Sequence, residues 1–318
     1  TNYSIDEISA IEDKSDYFYS ILNENQFDEM IELSGQGEDV AEKDRQYMLR
    51  YDISTGIDRG KDFATAKAKF VLDGRNNSLT FTDESDYAIF DVIYGDIENL
   101  HFKDITVSTT GRIIDNSGMH VYGTLANVTY GATIKNVSVQ GTMDIEDEYK
   151  LVGGVVGVAI NSKIIAVESV VNFNLTAEQS NSIVGGVVGY ALGNGKIEYC
   201  SNAGNIKIDN SYARQVIGEN DSVNGNYFES NDTDGNDLPI ISVDVSDADT
   251  VTLSKENSIE ISTANKGNGY IDTDTYLTSL PSSILGGVVG VTYVSVDHSF
   301  NTASIINGYK QFTSQPTD

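Results

Sequence analysis

The densest group of oxygen ligands in the chain is the segment Asp232-Thr-Asp234-Gly-Asn236-Asp237. Its acidic and amide side chains fall at alternate positions, and the intervening glycine lets the loop curl, so that several oxygens can converge on one hard cation. The segment is incomplete as an EF-hand loop, because Asp237 stands where that loop has glycine and Val243 where it has glutamate. The pattern is consistent with a calcium site formed by Asp232, Asp234, Asn236 and Asp237, and an ordinary Asn/Asp turn is the alternative. We expect the protein to require no cofactor.

Paired carboxylates are the second chemistry to consider. Glycoside hydrolases need two carboxyl groups roughly 5–10 Å apart, and stacking of repeated strands would align acidic residues such as Glu168 and Glu198. Stacked carboxylates more often form a solvated face, and the chain has no tryptophan for sugar stacking, although its 18 tyrosines can substitute. We therefore predict no enzyme activity, and we keep a polysaccharide lyase or glycoside hydrolase as the alternative.

The histidines and the cysteine are predicted to be structural. The chain has three histidines, His101, His120 and His298, and none lies in a His-Glu-x-x-His segment that would hold zinc on one helical face. The single cysteine, Cys200, excludes an intrachain disulfide. Because Cys200 falls at an apolar position of the repeat described next, we expect a buried thiol.

A repeated unit positions these residues. The sequence Gly-Gly-Val-Val-Gly occurs at 153–157, 185–189 and 286–290, each time after two aliphatic residues and before a polar turn and a second apolar stretch. The anchors of the second stretches, with two upstream copies that lack the glycine run, are Ile97, Ile134, Ile164, Ile197 and Val296. The last step, 296 minus 197, is 99 residues and equals three times the preceding step of 33 (197 minus 164). It predicts either two degenerate units or one excursion that returns in phase.

The units are short, alternating and strand-like, with turn residues between them. No unit has enough apolar residues to bury a face alone, so we predict an all-β fold in which the anchors stack into one interior column. The repeated glycines suit close backbone approach or positive φ at a recurring corner. A β-sandwich of Val- and Gly-rich strands is the alternative.

The N-terminal region differs from the rest of the chain. Phe27, Met30 and Ile31 follow helical spacing, and Gly35 is a plausible end for this helix. We assign residues 1–55 to a helical cap and a lead-in strand, because a bare end of a repeat array exposes unpaired strand edges. Residues 56–318 form the repeat array, with an elaborated region or excursion at 209–283.

Charge and hydropathy exclude several classes of partner. The formal charge is -28, from 48 acidic and 20 basic residues, which repels nucleic acid and anionic membranes. Apolar runs are far shorter than the roughly 20 residues that span a bilayer. We therefore expect neither nucleic-acid binding nor membrane insertion.

The unit that contains Gly185-Gly-Val-Val-Gly189 and Lys196-Ile-Glu-Tyr-Cys-Ser-Asn-Ala-Gly-Asn-Ile206 resembles the GLUG repeat of bacterial surface proteins. Similar repeats precede the catalytic region of streptococcal metallopeptidases that cleave immunoglobulin A, and segments such as Tyr47-Met-Leu-Arg-Tyr-Asp-Ile53 resemble their lead-in. The resemblance covers residues 25–208 and 284–308. It implies a right-handed parallel β-helix on a secreted or wall-attached protein. The peptidase activity is not implied, because the zinc-binding segment is missing.

The expected function is a non-catalytic, extracellular surface module, such as an adhesin, stalk or scaffold of the bacterial cell envelope. Its expected partner is a host or matrix protein or a glycan, bound on a lateral face or on the 209–283 region. A subunit of an end-to-end surface polymer is a further alternative, since open strand edges can pair. The protein is accordingly expected to be a monomer or to self-associate end to end.

Overall fold

The computed structural model describes residues 18–35, 45–56, 67–82, 87–108, 112–114, 119–146, 150–177, 182–210, 214–218, 240–247, 250–256 and 282–307. These residues form one helix and 27 strands, which are β1 (Phe18–Ile21), α1 (Glu24–Gly35), β2 (Gln46–Leu49), β3 (Ile53–Thr55), β4 (Lys67–Ala68), β5 (Val71–Phe81), β6 (Phe90–Ile93), β7 (Asp96–Val107), β8 (Arg112–Ile114), β9 (Met119–Gly123), β10 (Ala126–Tyr130), β11 (Thr133–Ile145), β12 (Lys150–Gly153), β13 (Val156–Ile160), β14 (Lys163–Ala177), β15 (Ile183–Gly185), β16 (Val188–Leu192), β17 (Lys196–Glu198), β18 (Ser201–Asn202), β19 (Ile206–Asn210), β20 (Arg214–Gly218), β21 (Ile240–Asp247), β22 (Thr250–Glu256), β23 (Ser282–Gly286), β24 (Val289–Thr292), β25 (Ser295–Asp297), β26 (Phe300–Asn301) and β27 (Ile305–Asn307).

Three large sheets and one two-stranded sheet, β21-β22, contain the described strands. Sheet 1 has 13 strands and follows the order β1-β2-β5-β7-β11-β14-β17-β25, with β3, β18, β19, β26 and β27 attached beside this path. Sheet 2 has the order β24-β16-β13-β10-β6-β4, and sheet 3 the order β20-β23-β15-β12-β9-β8. Pairing in sheets 1, 2 and 3 is parallel except between β8 and β9. The fold is thus all-β with parallel sheets, consistent with a parallel β-helix.

Four repeat units each contribute strands to sheets 3, 2 and 1 in turn. We call them unit 1 (β9–β11), unit 2 (β12–β14), unit 3 (β15–β19) and unit 4 (β23–β27). The long strands on sheet 1 alternate buried and outward-facing residues over much of their length, as in Thr133–Ile145 of unit 1. This alternation places the apolar side chains in one continuous core and the polar side chains in solvent.

The register of sheet 1 is the one predicted from the sequence. Ile134 lies opposite Ile97 on one side and Ile164 on the other, and Ile197 lies between Ile164 and Val296. A second column, nine residues later in each unit, runs through Met143, Phe173, Ile206 and Ile305. Equivalent residues are therefore neighbours within one sheet, which contradicts the β-sandwich alternative.

The 99-residue step between anchors leads to a unit that lies directly beside unit 3. Strand β25 pairs directly with β17, and β24 pairs with β16, so unit 4 is the next neighbour of unit 3. Strands β21 and β22 form an antiparallel pair, with Val243 opposite Leu253. Strand β20 pairs with β23, with Val216 opposite Ile284 and Gly218 opposite Gly286.

The repeated glycines allow close backbone approach between sheets 2 and 3. Their φ values are not in the left-handed region, which Gly131 and Gly193 occupy at another corner. A Cβ on Gly189 would lie 2.6 Å from the Gly157 carbonyl oxygen and 2.9 Å from that of Val152. Sheets 2 and 3 also bury a second apolar cluster between them, which includes Val121 and Val158. Of the two roles expected for these glycines, close approach is the one observed.

Helix α1 forms where the sequence predicts it, and it ends at Gly35. The Asn23 side-chain oxygen accepts the backbone N–H of Gln26 at 3.2 Å, which satisfies one of the free donors at the helix start. Phe27, Met30 and Ile31 are buried in the core that the strands share. The ring of Phe27 meets that of Phe81 edge-on, with centroids 6.4 Å apart.

Candidate functional site

The predicted calcium ligands, Asp232, Asp234, Asn236 and Asp237, lie outside the described residues. Among the residues that the structure does describe, no group of three or more His, Cys, Asp or Glu side chains is placed to hold a metal ion. The calcium site therefore stays a prediction from the sequence.

The predicted alignment of Glu168 with Glu198 is wrong. Glu168 lies opposite Ser138 and Ser201, whereas Glu198 lies opposite Ile165 and Asp297. Glu168 follows the second apolar position of unit 2 and Glu198 follows the first position of unit 3, so the two glutamates belong to different columns. In its own column, Glu198 has Asp297 as its carboxylate neighbour. Glu198 is already bound to the ammonium group of Lys196 at 2.6 Å.

Cys200 is buried, as its place in the repeat predicts. Its Sγ lies 3.4 Å from the carbonyl oxygens of Ile164 and Glu198, and its backbone N–H donates to the Ser299 hydroxyl at 3.1 Å. Burial raises the pKa of this thiol from 9.0 to about 11. A thiol that stays protonated in the core is a weak nucleophile, so Cys200 has a packing role.

Two other groups with reactive chemistry have structural partners. His101 Nδ1 lies 2.7 Å from the Ser138 hydroxyl of the next unit. Lys150 is fully buried, and its ammonium group donates to the carbonyl oxygen of Thr176 at 2.6 Å. This bond ties the start of unit 2 to the end of its long strand, which satisfies the buried charge locally.

A column of left-handed residues crosses sheet 1 at one position of each unit. Asn99, Asn136, Ala166, Tyr199 and His298 have φ values of 54°, 52°, 52°, 55° and 48°. The register of the flanking strands places these residues one above another. Asparagine tolerates this conformation best among residues with a Cβ. The side chain of Asn136 also donates to that of Asn99 at 2.9 Å, so the lower part of the column is a hydrogen-bonded ladder.

In units 3 and 4 the column changes from asparagine to aromatic residues. The rings of Tyr199 and His298 stack with centroids 5.0 Å apart and planes 23° apart. Tyr199 is 58 % exposed, and the carboxylate of Asp297 holds the His298 ring through Nδ1 at 2.9 Å. Non-glycine residues in this conformation carry backbone strain of roughly 1–3 kcal/mol. Two exposed rings are therefore fixed in place on a strained corner.

Phe300 is a third exposed ring on sheet 1. It is 55 % exposed and lies on β26 opposite Ser201, two residues beyond His298. We name Tyr199, His298 and Phe300 the aromatic face. Glu198 and Asp297 border it, so flat apolar rings stand beside hydrogen-bonding groups. This combination suits a ligand with both apolar and hydroxyl surfaces.

One comparison with known proteins finds a match, and it falls on unit 3. Residues 180–213 match the family model of the GLUG motif. No curated protein and no solved structure matches the chain. The GLUG match thus covers the unit that contributes Tyr199 to the aromatic face. Within the described residues, no helix is long and apolar enough to cross a membrane.

The aromatic face was not predicted from the sequence. His298 was predicted to be a structural histidine, and Tyr199 was given no role beyond its place in the repeat. A signal was available, because aligning the units puts Tyr199 and His298 in the position that Asn99 and Asn136 occupy. An aromatic ring in place of asparagine at a recurring corner marks these two residues.

Proposed function

We propose that the protein is a non-catalytic, extracellular binding module of a bacterial cell envelope, built as a right-handed parallel β-helix with α1 as its N-terminal cap. The GLUG match and the parallel register of units 1 to 4 support the β-helix. Burial of Phe27, Met30 and Ile31 against the first strands supports the capping role of the helix. Bacterial surface proteins carry similar repeats, which supports the location.

The single observation that carries the binding function is the exposed Tyr199–His298 stack. The same left-handed corner is formed by asparagine or alanine in the neighbouring units, so the corner itself does not require an aromatic residue, and the exposed ring stack is placed to contact a ligand. We favour a neutral glycan as the ligand, because sugar rings present apolar C–H faces and hydroxyl groups together. The charge of -28 disfavours polyanions.

Binding to a panel of neutral and acidic glycans and matrix proteins tests this function. We expect the wild-type protein to bind at least one neutral glycan, and Tyr199→Ala and Phe300→Ala to weaken binding at least about tenfold. Tyr51→Ala is the matched control, because Tyr51 is 64 % exposed and lies near the other end of the array. Equal loss in the control, or no binding to any neutral glycan by the wild type, would contradict the proposal.

The enzymatic alternative rests on Glu198 and Asp297, which are neighbours in register. A reducing-sugar and unsaturated-product assay over acidic and neutral polysaccharides, with and without calcium, separates it from binding alone. Turnover that disappears in the Glu198→Gln, Asp297→Asn double variant would establish an enzyme and displace our proposal.

A further inference from the structure

The turn that leads from sheet 2 to sheet 1 is longer in unit 3 than in the units on either side of it. The positions before and after this turn are paired between units 2 and 3, Ile160 with Leu192 and Lys163 with Lys196. Two residues, 161–162, lie between these positions in unit 2, and three, 193–195, lie between them in unit 3. In unit 4, two residues separate Thr292 from Ser295, whereas four separate their partners in unit 3. The turn of unit 3 therefore holds residues that its neighbours lack.

This longer turn has the sequence Gly193-Asn194-Gly195. Gly193 takes the left-handed conformation, with φ 82°, and Asn194 is exposed at the centre of the turn. Gly195 has no Cβ that would shield its backbone nitrogen. The side-chain amide of Asn194 and the nitrogen of the following residue are therefore neighbours in the chain with little steric hindrance between them.

Hydrogen bonds hold both ends of the turn but not the groups at its centre. The backbone N–H of Asn194 donates to the Asn161 side-chain oxygen at 2.8 Å, and that of Lys196 donates to the Ser162 carbonyl oxygen at 3.1 Å. Within the described residues, neither the Asn194 side-chain amide nor the Gly195 N–H has a hydrogen-bond partner. In unit 2, by contrast, the Asn161 side chain is bound and the next residue, Ser162, is 3 % exposed.

We propose that Asn194 is a site of spontaneous deamidation. The Gly195 backbone nitrogen gives up its proton to solvent and attacks the side-chain carbonyl carbon of Asn194. A new C–N bond closes a succinimide ring while the bond to the side-chain nitrogen breaks, and that nitrogen leaves as ammonia. Water then opens the ring at either carbonyl and gives aspartate or isoaspartate, so the modified side chain is an ionised carboxylate at neutral pH. This inference does not depend on the proposed function.

The isoaspartate product should destabilise unit 3. In isoaspartate the backbone runs through the side-chain carbonyl, which adds a methylene group to the turn. The two ends of the turn are bound to Asn161 and Ser162 of unit 2, and β17 begins directly after it at Lys196. A longer backbone between two fixed ends strains the turn or breaks one of these bonds.

Peptide mapping by mass spectrometry tests the site. We expect Asn194 of the folded protein, kept at mildly alkaline pH, to give aspartate and isoaspartate at a rate within about tenfold of that in the urea-unfolded chain. Mapping reads Asn194 apart from the other Asn-Gly pairs, at 224–225, 268–269 and 307–308, which lie wholly or partly outside the described residues. An Asn194 that stays intact in the folded protein, or that reacts more than about tenfold slower than when unfolded, would overturn the proposal.

Asn205 is the internal control in the same sample. It is exposed like Asn194, but its side-chain oxygen accepts the backbone N–H of Ser304 at 3.2 Å. The nitrogen that would have to attack, that of Ile206, donates to the Ser304 carbonyl oxygen at 2.9 Å. Asn205 should therefore stay intact while Asn194 reacts, and equal conversion of the two in the folded protein would refute the role of the turn.

Thermal unfolding of aged samples tests the effect on unit 3. Asn194→Gln is the matched variant, because it keeps the amide but places it one methylene group further from the attacking nitrogen. The melting temperature of the wild type should fall as isoaspartate accumulates at position 194, and that of Asn194→Gln should fall less over the same time. Equal falls in both proteins would show that position 194 does not cause the loss of stability.

Discussion

Tyr199 and His298 stack at 5.0 Å across two adjacent repeat units, each with its backbone in the left-handed region. The two rings occupy the column in which Asn99 and Asn136 bond to one another. The same backbone position therefore has two roles. Asparagine stabilises the corner in the units nearer the N-terminus, and aromatic residues form an exposed surface in units 3 and 4. Ala166, between them, does neither.

Ala166→Asn should stabilise the protein. Ala166 has φ 52° and is exposed, and an asparagine there relieves the left-handed strain and extends the ladder from Asn136. We expect the free energy of unfolding to rise by about 0.5–1 kcal/mol. Chemical denaturation measures the change. Ala203→Asn is the control, since Ala203 is exposed but not left-handed. An equal gain in stability there would show that the effect at Ala166 does not come from the left-handed corner.

Gly189→Ala should destabilise the protein by about 1–3 kcal/mol, the usual cost of overpacking. The added Cβ would press on backbone oxygens of Gly157 and Val152, and backbone in paired strands has little room to move. Gly131→Asn is the contrasting variant, because space around Gly131 is open and Asn161 already takes the same left-handed conformation in the next unit. Thermal unfolding of both variants measures the loss of stability. Equal losses in the two variants would contradict the role of Gly189 in close backbone approach.

Cys200 should make stability fall with pH above about 9. In the unfolded chain the thiol ionises near its ordinary pKa of 9.0, whereas burial holds the folded pKa at about 11. The folded state therefore binds more protons between these values, and unfolding becomes easier as pH rises. The full loss is about 2–3 kcal/mol by pH 11.

The comparison between wild type and Cys200→Ser isolates this effect. Serine is a reasonable replacement, because Ser299 occupies the equivalent position in unit 4 and its hydroxyl donates to the Asp297 carbonyl oxygen. Burial also raises the pKa of Tyr19, which adds a loss common to both proteins at higher pH. Identical pH profiles of the two proteins between pH 8 and pH 10 would rule out the role of Cys200.

Calcium binding by Asp232, Asp234, Asn236 and Asp237 is open to direct titration. If the segment is a calcium loop, calorimetry should show one site that the Asp232→Asn, Asp234→Asn double variant loses, because removing two charges weakens a hard-cation site. Asp272→Asn, Asp274→Asn is the matched control for the same change in charge. The absence of heat in the wild type would establish the ordinary turn instead.

The sequence alone predicted the parallel register, because the side chains that stack are the ones that repeat. Ile134, Ile164 and Ile197 had to fall in one column, since any other alignment would expose the apolar side of each unit. The helix from Glu24 to Gly35 was also predictable, because its apolar residues follow helical spacing. The segment with the candidate calcium ligands lies outside the described residues and was not decided by either route.

Only the tertiary structure shows which non-equivalent positions of the units contact one another. The sequence left open which segment follows unit 3 in the array, and the pairing of β17 with β25 places unit 4 there. It also suggested the wrong carboxylate neighbours, because Glu168 and Glu198 follow different anchors of their units. Repetition along the chain determines which equivalent residues align, because that alignment buries the apolar residues of each unit. Contacts between non-equivalent positions, such as the bond from the Lys150 ammonium group to the Thr176 carbonyl oxygen, depend on how whole strands and units pack in three dimensions.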